Sequence, residues 1–435
     1  MTRRPIPKSA NWGFKPAHRY LGLFASLQER SFSPRLHNFA QILQQDPARS
    51  YPDFPPLASH IRFLTVQLDR GRHTKNLAPG TKSIFSDILP LLTSVEKFSL
   101  KTVRDTFDSR LYSCSWDFID DTKKSAILEF CKSPSIITMH ISHMERLPPN
   151  LFTGCPNLKV LSLDTVESPR RDLPASWSTS PAEFQPWTSS LETLSIKYSG
   201  EMACLLSEMH RYTEFKSRPP SFMASIWKMD VSSSCWAGLL SEWVLIQTIS
   251  ESSLRYLRIS GIRCVVSQIV NFPGAVDFGI LKRVETLELQ GRFGVEDQGL
   301  RTFHHWTTFS TKSNLADSTS IRTLIFDIEW VGCRQGDEDN IFVPDHGWLT
   351  IDAALSSGRF ASLKNICLRL HITFLPNSII GIPEDRLQRL ISDKLSLRIP
   401  QLFPSISISK SKSIKTAVTV KSSNLTFGRL RPALD

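Results

Sequence analysis

A six-residue pattern, apolar-x-x-apolar-x-apolar, recurs ten times between Ile61 and Leu368, and it constrains this chain more than any other feature. The copies are Ile61-Leu64-Val66, Val95-Phe98-Leu100, Ile136-Met139-Ile141, Leu158-Leu161-Leu163, Leu191-Leu194-Ile196, Ile226-Met229-Val231, Leu254-Leu257-Ile259, Val284-Leu287-Leu289, Ile321-Leu324-Phe326 and Leu363-Ile366-Leu368. Their starts lie 22 to 42 residues apart, so the motif is regular and its period loose. The last two apolar residues of each copy alternate as in a half-buried strand, and the first sits where the chain turns in.

Between the copies lie apolar segments that predict short helices: Ser83 to Leu92, Thr122 to Cys131, Met202 to Tyr212, Trp236 to Ile249, Leu349 to Leu355 and Arg386 to Leu395. One strand plus one connecting segment cannot bury its apolar face alone, but stacking on its neighbours can. A doubly wound α/β domain would also alternate strand and helix. Its strands, covered on both faces, should read as continuous apolar runs, whereas these alternate with Ser, Thr, Glu, Lys and His. Small or polar residues also precede the triplets repeatedly, as in Thr93-Ser94-Val95, Ser189-Ser190-Leu191 and Ser252-Ser253-Leu254. The expectation is therefore an α/β repeat solenoid.

Cys155-Pro156-Asn157-Leu158-Lys159-Val160-Leu161-Ser162-Leu163 resembles the core of leucine-rich repeats, and Ser190 to Ile196 and Ser253 to Ile259 are similar to it. The irregular spacing and the opening Leu89-Pro90-Leu91-Leu92-Thr93-Ser94-Val95 resemble fungal F-box-type leucine-rich repeat proteins over about residues 35 to 375. The resemblance implies an irregular leucine-rich-repeat solenoid with a parallel sheet on the concave face and helices or irregular segments on the convex face. It also implies a substrate receptor of a ubiquitin ligase, whose F-box would bind Skp1 and whose repeats would bind the client. This sequence departs from that pattern twice. No LPxEIL-like helix opens it, so binding to Skp1 is expected only with an F-box that is degenerate or lies upstream. The asparagine slots of the repeat hold Val103, Met144, Val166, Ser199, Ile262 and Arg292.

The formal net charge of +11 raises nucleic acid as a partner. Residues 1 to 28 carry five bases and no acid, and Lys394 to Asp435 carries eight bases against one acid, which leaves the body close to neutral. The expected organisation is a basic N-terminal tail over 1–34, partly disordered, a solenoid over 35–395, and a basic C-terminal tail over 396–435 that is disordered or adds a capping strand. Nucleic acid or an anionic surface is then an alternative partner acting through the tails. The densest apolar stretch, Trp236 to Ile249, is interrupted by Ser241, Glu242 and Gln247, so no membrane span is expected. Eight cysteines lie at least seventeen residues apart, which excludes zinc-ligand spacing and suits buried thiols in an intracellular compartment, cytoplasm or nucleus.

No GxSxG, GxxxxGK[ST] or GxGxxG signature occurs, so neither enzyme activity nor a cofactor is expected. His140 alternates with Met139 and Ile141 and should face out of a strand rather than bind metal. His304-His305 and Asp337-Glu338-Asp339-Asn340 read as loop residues. Trp116, Trp227, Trp236 and Trp243 sit among apolar neighbours and are expected to fill core space. Strand geometry places the third, fifth and seventh residues of each unit on the shared concave face. These are His140, Asp164, Lys197, Lys228, Asp230, Tyr256, Arg258, Glu288, Gln290, Asp327 and Arg369. Their mixed signs and one aromatic suit a protein client better than a polyanion. The expected function is a non-enzymatic protein-interaction scaffold.

Overall fold

The structure, a computed structural model, describes residues 23–28, 34–44, 57–68, 84–102, 113–168, 190–215, 222–233, 236–260, 281–294, 319–333, 346–375, 382–409 and 412–422. Each apolar triplet is carried by one strand of a single parallel sheet. In chain order the strands are β1 (Leu23–Gln28), β2 (Ile61–Leu68), β3 (Lys97–Thr102), β4 (Cys114–Ser115), β5 (Thr138–Glu145), β6 (Val160–Val166) and β7 (Thr193–Lys197). There follow β8 (Lys228–Ser232), β9 (Tyr256–Ser260), β10 (Thr286–Gly294), β11 (Thr323–Cys333), β12 (Asn365–Phe374) and β13 (Ser413–Ser422). Twelve of them lie side by side in the order in which the chain makes them, and only the two-residue β4 stands off this path, beside the end of β5. A doubly wound sheet reverses its strand order at a switch point; this order never reverses, and β1 does not meet β13 to close a barrel. The fold is thus an open, singly wound α/β sheet of solenoid type.

The register explains the repeat. Leu64, Phe98, Met139, Leu161, Leu194, Met229, Leu257, Leu287, Leu324 and Ile366 are consecutive partners across ten strands. All thirty triplet residues are at most 7 % exposed and belong to one continuous core. At roughly 1.5–3 kcal/mol for each buried aliphatic side chain, these rows are the main source of stability. A second ladder runs just ahead of the strands, where Glu96, Ile137, Lys159, Glu192, Trp227, Arg255, Glu285, Arg322 and Lys364 each donate a backbone N–H to the equivalent carbonyl of the preceding unit.

All six expected helical segments are present, as α2 (Ile84–Ile88, extended by a 3-10 turn), α3 (Asp121–Cys131), α5 (Gly200–Phe215), α6 (Trp236–Ser250), α7 (His346–Ser356) and α8 (Glu384–Leu402). Asp120 caps α3, accepting the backbone N–H groups of Thr122 and Lys123 at 3.0 and 3.4 Å. Three further helices, α1 (Pro34–Gln44), α4 (Asn150–Thr153) and α9 (Pro404–Ser409), lie outside the expected set. Asp352 of α7, 2 % exposed, holds α9 in place by accepting the N–H groups of Ser405 and Ile406 at 2.8 and 3.1 Å.

At the ends of β5, β6 and β7 the chain makes a left-handed step at His143, Thr165 and Tyr198, with φ of 56°, 56° and 51°. The step lets one residue be skipped, so that Met144, Val166 and Ser199 turn into the core, three positions after Ile141, Leu163 and Ile196 instead of two. It costs each non-glycine residue about 1–2 kcal/mol. Ser199, 1 % exposed, recovers part of this by accepting the N–H of Val166 at 2.9 Å while donating to the carbonyl of Lys197 at 2.8 Å.

The sheet reaches beyond 35–395 at both ends. β1 lies within the expected N-terminal tail, and β13 stands where the sequence allows a capping strand. Trp116 and Trp243 are buried as expected. Trp227 is 46 % exposed, a correction to the core assignment, because it occupies the second position of its unit, ahead of the strand and off its inward phase. Trp236 opens α6, but its side chain lies outside what is described, as do His304, His305 and the acidic run 337–340. Cys114, Cys131, Cys155 and Cys333 are buried free thiols, and burial beside Cys155 pushes the Cys131 thiol well up. No helix among the described residues is long and apolar enough to cross a membrane.

Candidate functional site on the open sheet face

Among the described residues, the core and helices cover one face of the sheet. The other face is built from the residues between the inward ones, and its two halves differ in chemistry. From β2 to β7 its middle row is Thr65, Ser99, His140, Ser162 and Ser195, mostly short hydroxyls. From β8 it continues as Asp230, Arg258, Glu288, Ile325 and Cys367, reaching Lys415 on β13. The neighbouring row carries Gln290, Asp327 and Arg369 on β10 to β12.

In this second half the side chains form one network. Arg258 sits at its centre, with Nε 3.2 Å from Glu288 Oε1, Nη1 3.8 Å from Asp230 Oδ2, and Nη2 3.8 Å from Asp327 Oδ2. The same Nη2 donates to Gln290 Oε1 at 2.6 Å. Tyr256 donates its hydroxyl to Glu288 Oε2, and Arg369 Nη1 approaches that oxygen to 3.6 Å. His371 Nε2 lies 2.9 Å from Asp327 Oδ1, and the Lys228 ammonium stands 5.1 Å over the Tyr256 ring.

The layering is specific. The side chains of Glu288, Asp327 and Asp230 are 6, 9 and 19 % exposed, whereas those of Arg258, His371 and Arg369 are 31, 43 and 44 % exposed. Short carboxylates lie against the sheet, and the longer Arg258, Arg369, His371 and Tyr256 side chains from neighbouring strands arch over them. Burial pushes the Asp230 carboxyl above the usual range, more strongly than nearby Arg258 lowers it. Burial and the Glu288 hydrogen bond likewise push the Tyr256 hydroxyl upward, so it stays a donor at neutral pH. Each carboxylate is thus held by a cation, which recovers part of the cost of removing it from water.

Eight of the eleven residues expected on this face, Lys228, Asp230, Tyr256, Arg258, Glu288, Gln290, Asp327 and Arg369, are brought together here. His140, Asp164 and Lys197 form a looser group on β5 to β7. His140 shares a 3.0 Å hydrogen bond with Ser162 Oγ, and burial lowers the pKa of its ring despite the nearby Asp164. Asp164 accepts the Thr165 hydroxyl at 3.1 Å. Two expectations change. Glu288 and Asp327, expected on the surface of the concave face, are only 4 and 6 % exposed, since the longer residues cover them. The face is also richer in cations than that reading, because Lys97, Lys101 and Lys415 share its outward phase, as does the His371 ring. Their signal was the same alternation applied to β3, to the ninth residue of the β12 unit and to β13.

Among the described residues no group of His, Cys, Asp and Glu is placed to hold a metal ion. Comparison with protein-family models and with curated proteins finds no match to this chain, so its class is defined by the open parallel α/β sheet and the charged face on it.

Proposed function

We propose that the protein is a non-enzymatic interaction scaffold of leucine-rich-repeat type whose open sheet face holds a protein client. The observation that carries this reading is the network on that face: side chains from five successive strands, β8 to β12, form one surface that no single strand could supply. In-register triplets and one-sided helices support the repeat assignment. Helices pack about 8–10 Å apart and strands about 4.8 Å apart, so a helix layer behind the sheet bends the open face into the inside of the curve, where a client has the largest contact.

The test begins with a client identified by affinity purification. Its affinity for the Tyr256→Ala/Arg258→Ala protein should fall at least tenfold, while Leu390→Ala on the exposed side of α8 leaves it unchanged. A client bound equally by both variants, with melting confirming that each is folded, refutes the assignment of the face. Coupling to a ubiquitin ligase is a separate part of the proposal, read by co-purification of the full gene product with Skp1. No association would remove that coupling and leave client binding standing.

A further inference from the structure

We propose that the client segment received by the charged half of the open face is acidic, with its carboxylates seated on Lys228, Arg369 and Lys415 and its middle lying over Tyr256 and Arg258. This deepens the client-binding reading above and rests on it. The first argument is the balance of unmatched charge. Asp230, Glu288 and Asp327 are all engaged by cations and lie low on the sheet. Among the described residues of the same face, Lys97, Lys101, Lys197 and Lys415 make no ion pair within 4 Å; Lys228 stands over the Tyr256 ring, and Lys197 and Lys228 act on Asp230 only at longer range. Arg369 spends one guanidinium nitrogen on Glu288 and keeps the rest of its five donors for a ligand. What meets solvent in this half is therefore mainly cationic, above carboxylates that fix its geometry, with Glu329 as the half-buried acid beside His371.

Arg258 has a different part. Its Nε, Nη1 and Nη2 are turned towards Glu288, Asp230, Asp327 and Gln290. It is a strut, and the free donors stand around it.

Spacing gives the length of the segment. Lys228 is on β8 and Lys415 on β13, five strand intervals apart, or about 24 Å at about 4.8 Å per interval. An extended chain rising about 3.3 Å per residue covers that distance in roughly seven or eight residues. Charge density then favours a peptide over a nucleic acid. Three carboxylates underlie the middle of the path, and a phosphate on every nucleotide would have to pass above them. A peptide can place uncharged residues there and its acids at the ends.

The probe is a fluorescein-labelled ten-residue peptide of alternating Glu and Ser, with a Gln/Ser counterpart, titrated into the full chain by anisotropy. The Glu peptide should bind at least tenfold more tightly than the Gln peptide, and the Lys228→Gln/Arg369→Gln/Lys415→Gln protein should lose that preference. These residues are exposed or half-exposed, and Lys132→Gln/Lys364→Gln on other surfaces serves as the folded control, with unchanged binding. Equal binding of the two peptides overturns the proposal, as does full binding by the triple variant, which would assign the peptide to the basic termini. A twelve-residue oligothymidylate binding this face more tightly than the Glu peptide also overturns it, in favour of a polyanion. If the Glu peptide fails while an identified client still depends on Tyr256 and Arg258, the acidic specificity falls and the client-binding reading remains.

Discussion

Glu242 lies in the middle of α6, 0 % exposed, and neither carboxylate oxygen has a hydrogen-bond partner. Burial pushes its carboxyl from 4.5 up to about 8, opposed only by the backbone of Ser199, whose geometry falls short of a hydrogen bond. The folded protein therefore keeps Glu242 protonated where the unfolded chain has already ionised it. Folding binds the proton more tightly, so the contribution of this side chain to stability is greatest below pH 4.5, declines as pH rises to about 8, and is level above that. At about 1.4 kcal/mol per unit, the full span corresponds to at most about 5 kcal/mol. Glu242→Gln keeps the shape and removes the proton. Urea unfolding followed by tryptophan fluorescence should show the variant close to wild type at pH 4.5 and several kcal/mol more stable at pH 8.5. Because every other titrating group is common to both proteins, their difference isolates this side chain. A difference that does not change with pH, or that grows as pH falls, refutes the reasoning.

Other substitutions probe other layers of the molecule. Met139→Ala removes a fully buried side chain from the central row of the core and should cost about 2–5 kcal/mol in urea unfolding. Ser199→Ala strands the buried N–H of Val166, at about 1–3 kcal/mol in the same assay. Arg258→Met should destabilise by about 3–5 kcal/mol by leaving carboxylates uncompensated, and adding Glu288→Gln should restore part of that loss. The His140 ring should titrate below 6.5 by NMR, and Asp164→Asn should lower its midpoint further by removing the one influence that raises it.

The sheet and its helices were legible because burial on one face leaves a period in the sequence. Ten strands carried it, and each of their triplets proved to be core. The two edge strands did not. β1 places Ala25 in the row of Leu64, and β13 places Thr416 in the row of Leu368, so neither has the three large apolar residues that mark the others. The candidate face was legible position by position, since outward phase follows from inward phase. Its layering was not, because a one-dimensional pattern cannot say that Arg258 and Tyr256 on one strand would arch over Glu288 on the next. Trp227 shows the same limit, as an aromatic beside an apolar triplet that points away from it.

The strictly sequential strand order also bears on how the protein responds to force. Along the twelve-strand path each strand is bonded only to the path strands before and after it, with the short β4 beside β5, so tension applied at the two termini loads the units in series. Detaching one unit of 34 residues, the interval from Ile61 to Val95, exchanges a strand spacing of about 4.8 Å for roughly 115 Å of extended chain. The extension curve should be a staircase whose step lengths reproduce the irregular intervals between triplets, and the loose period of the repeat would be read directly as a sequence of lengths.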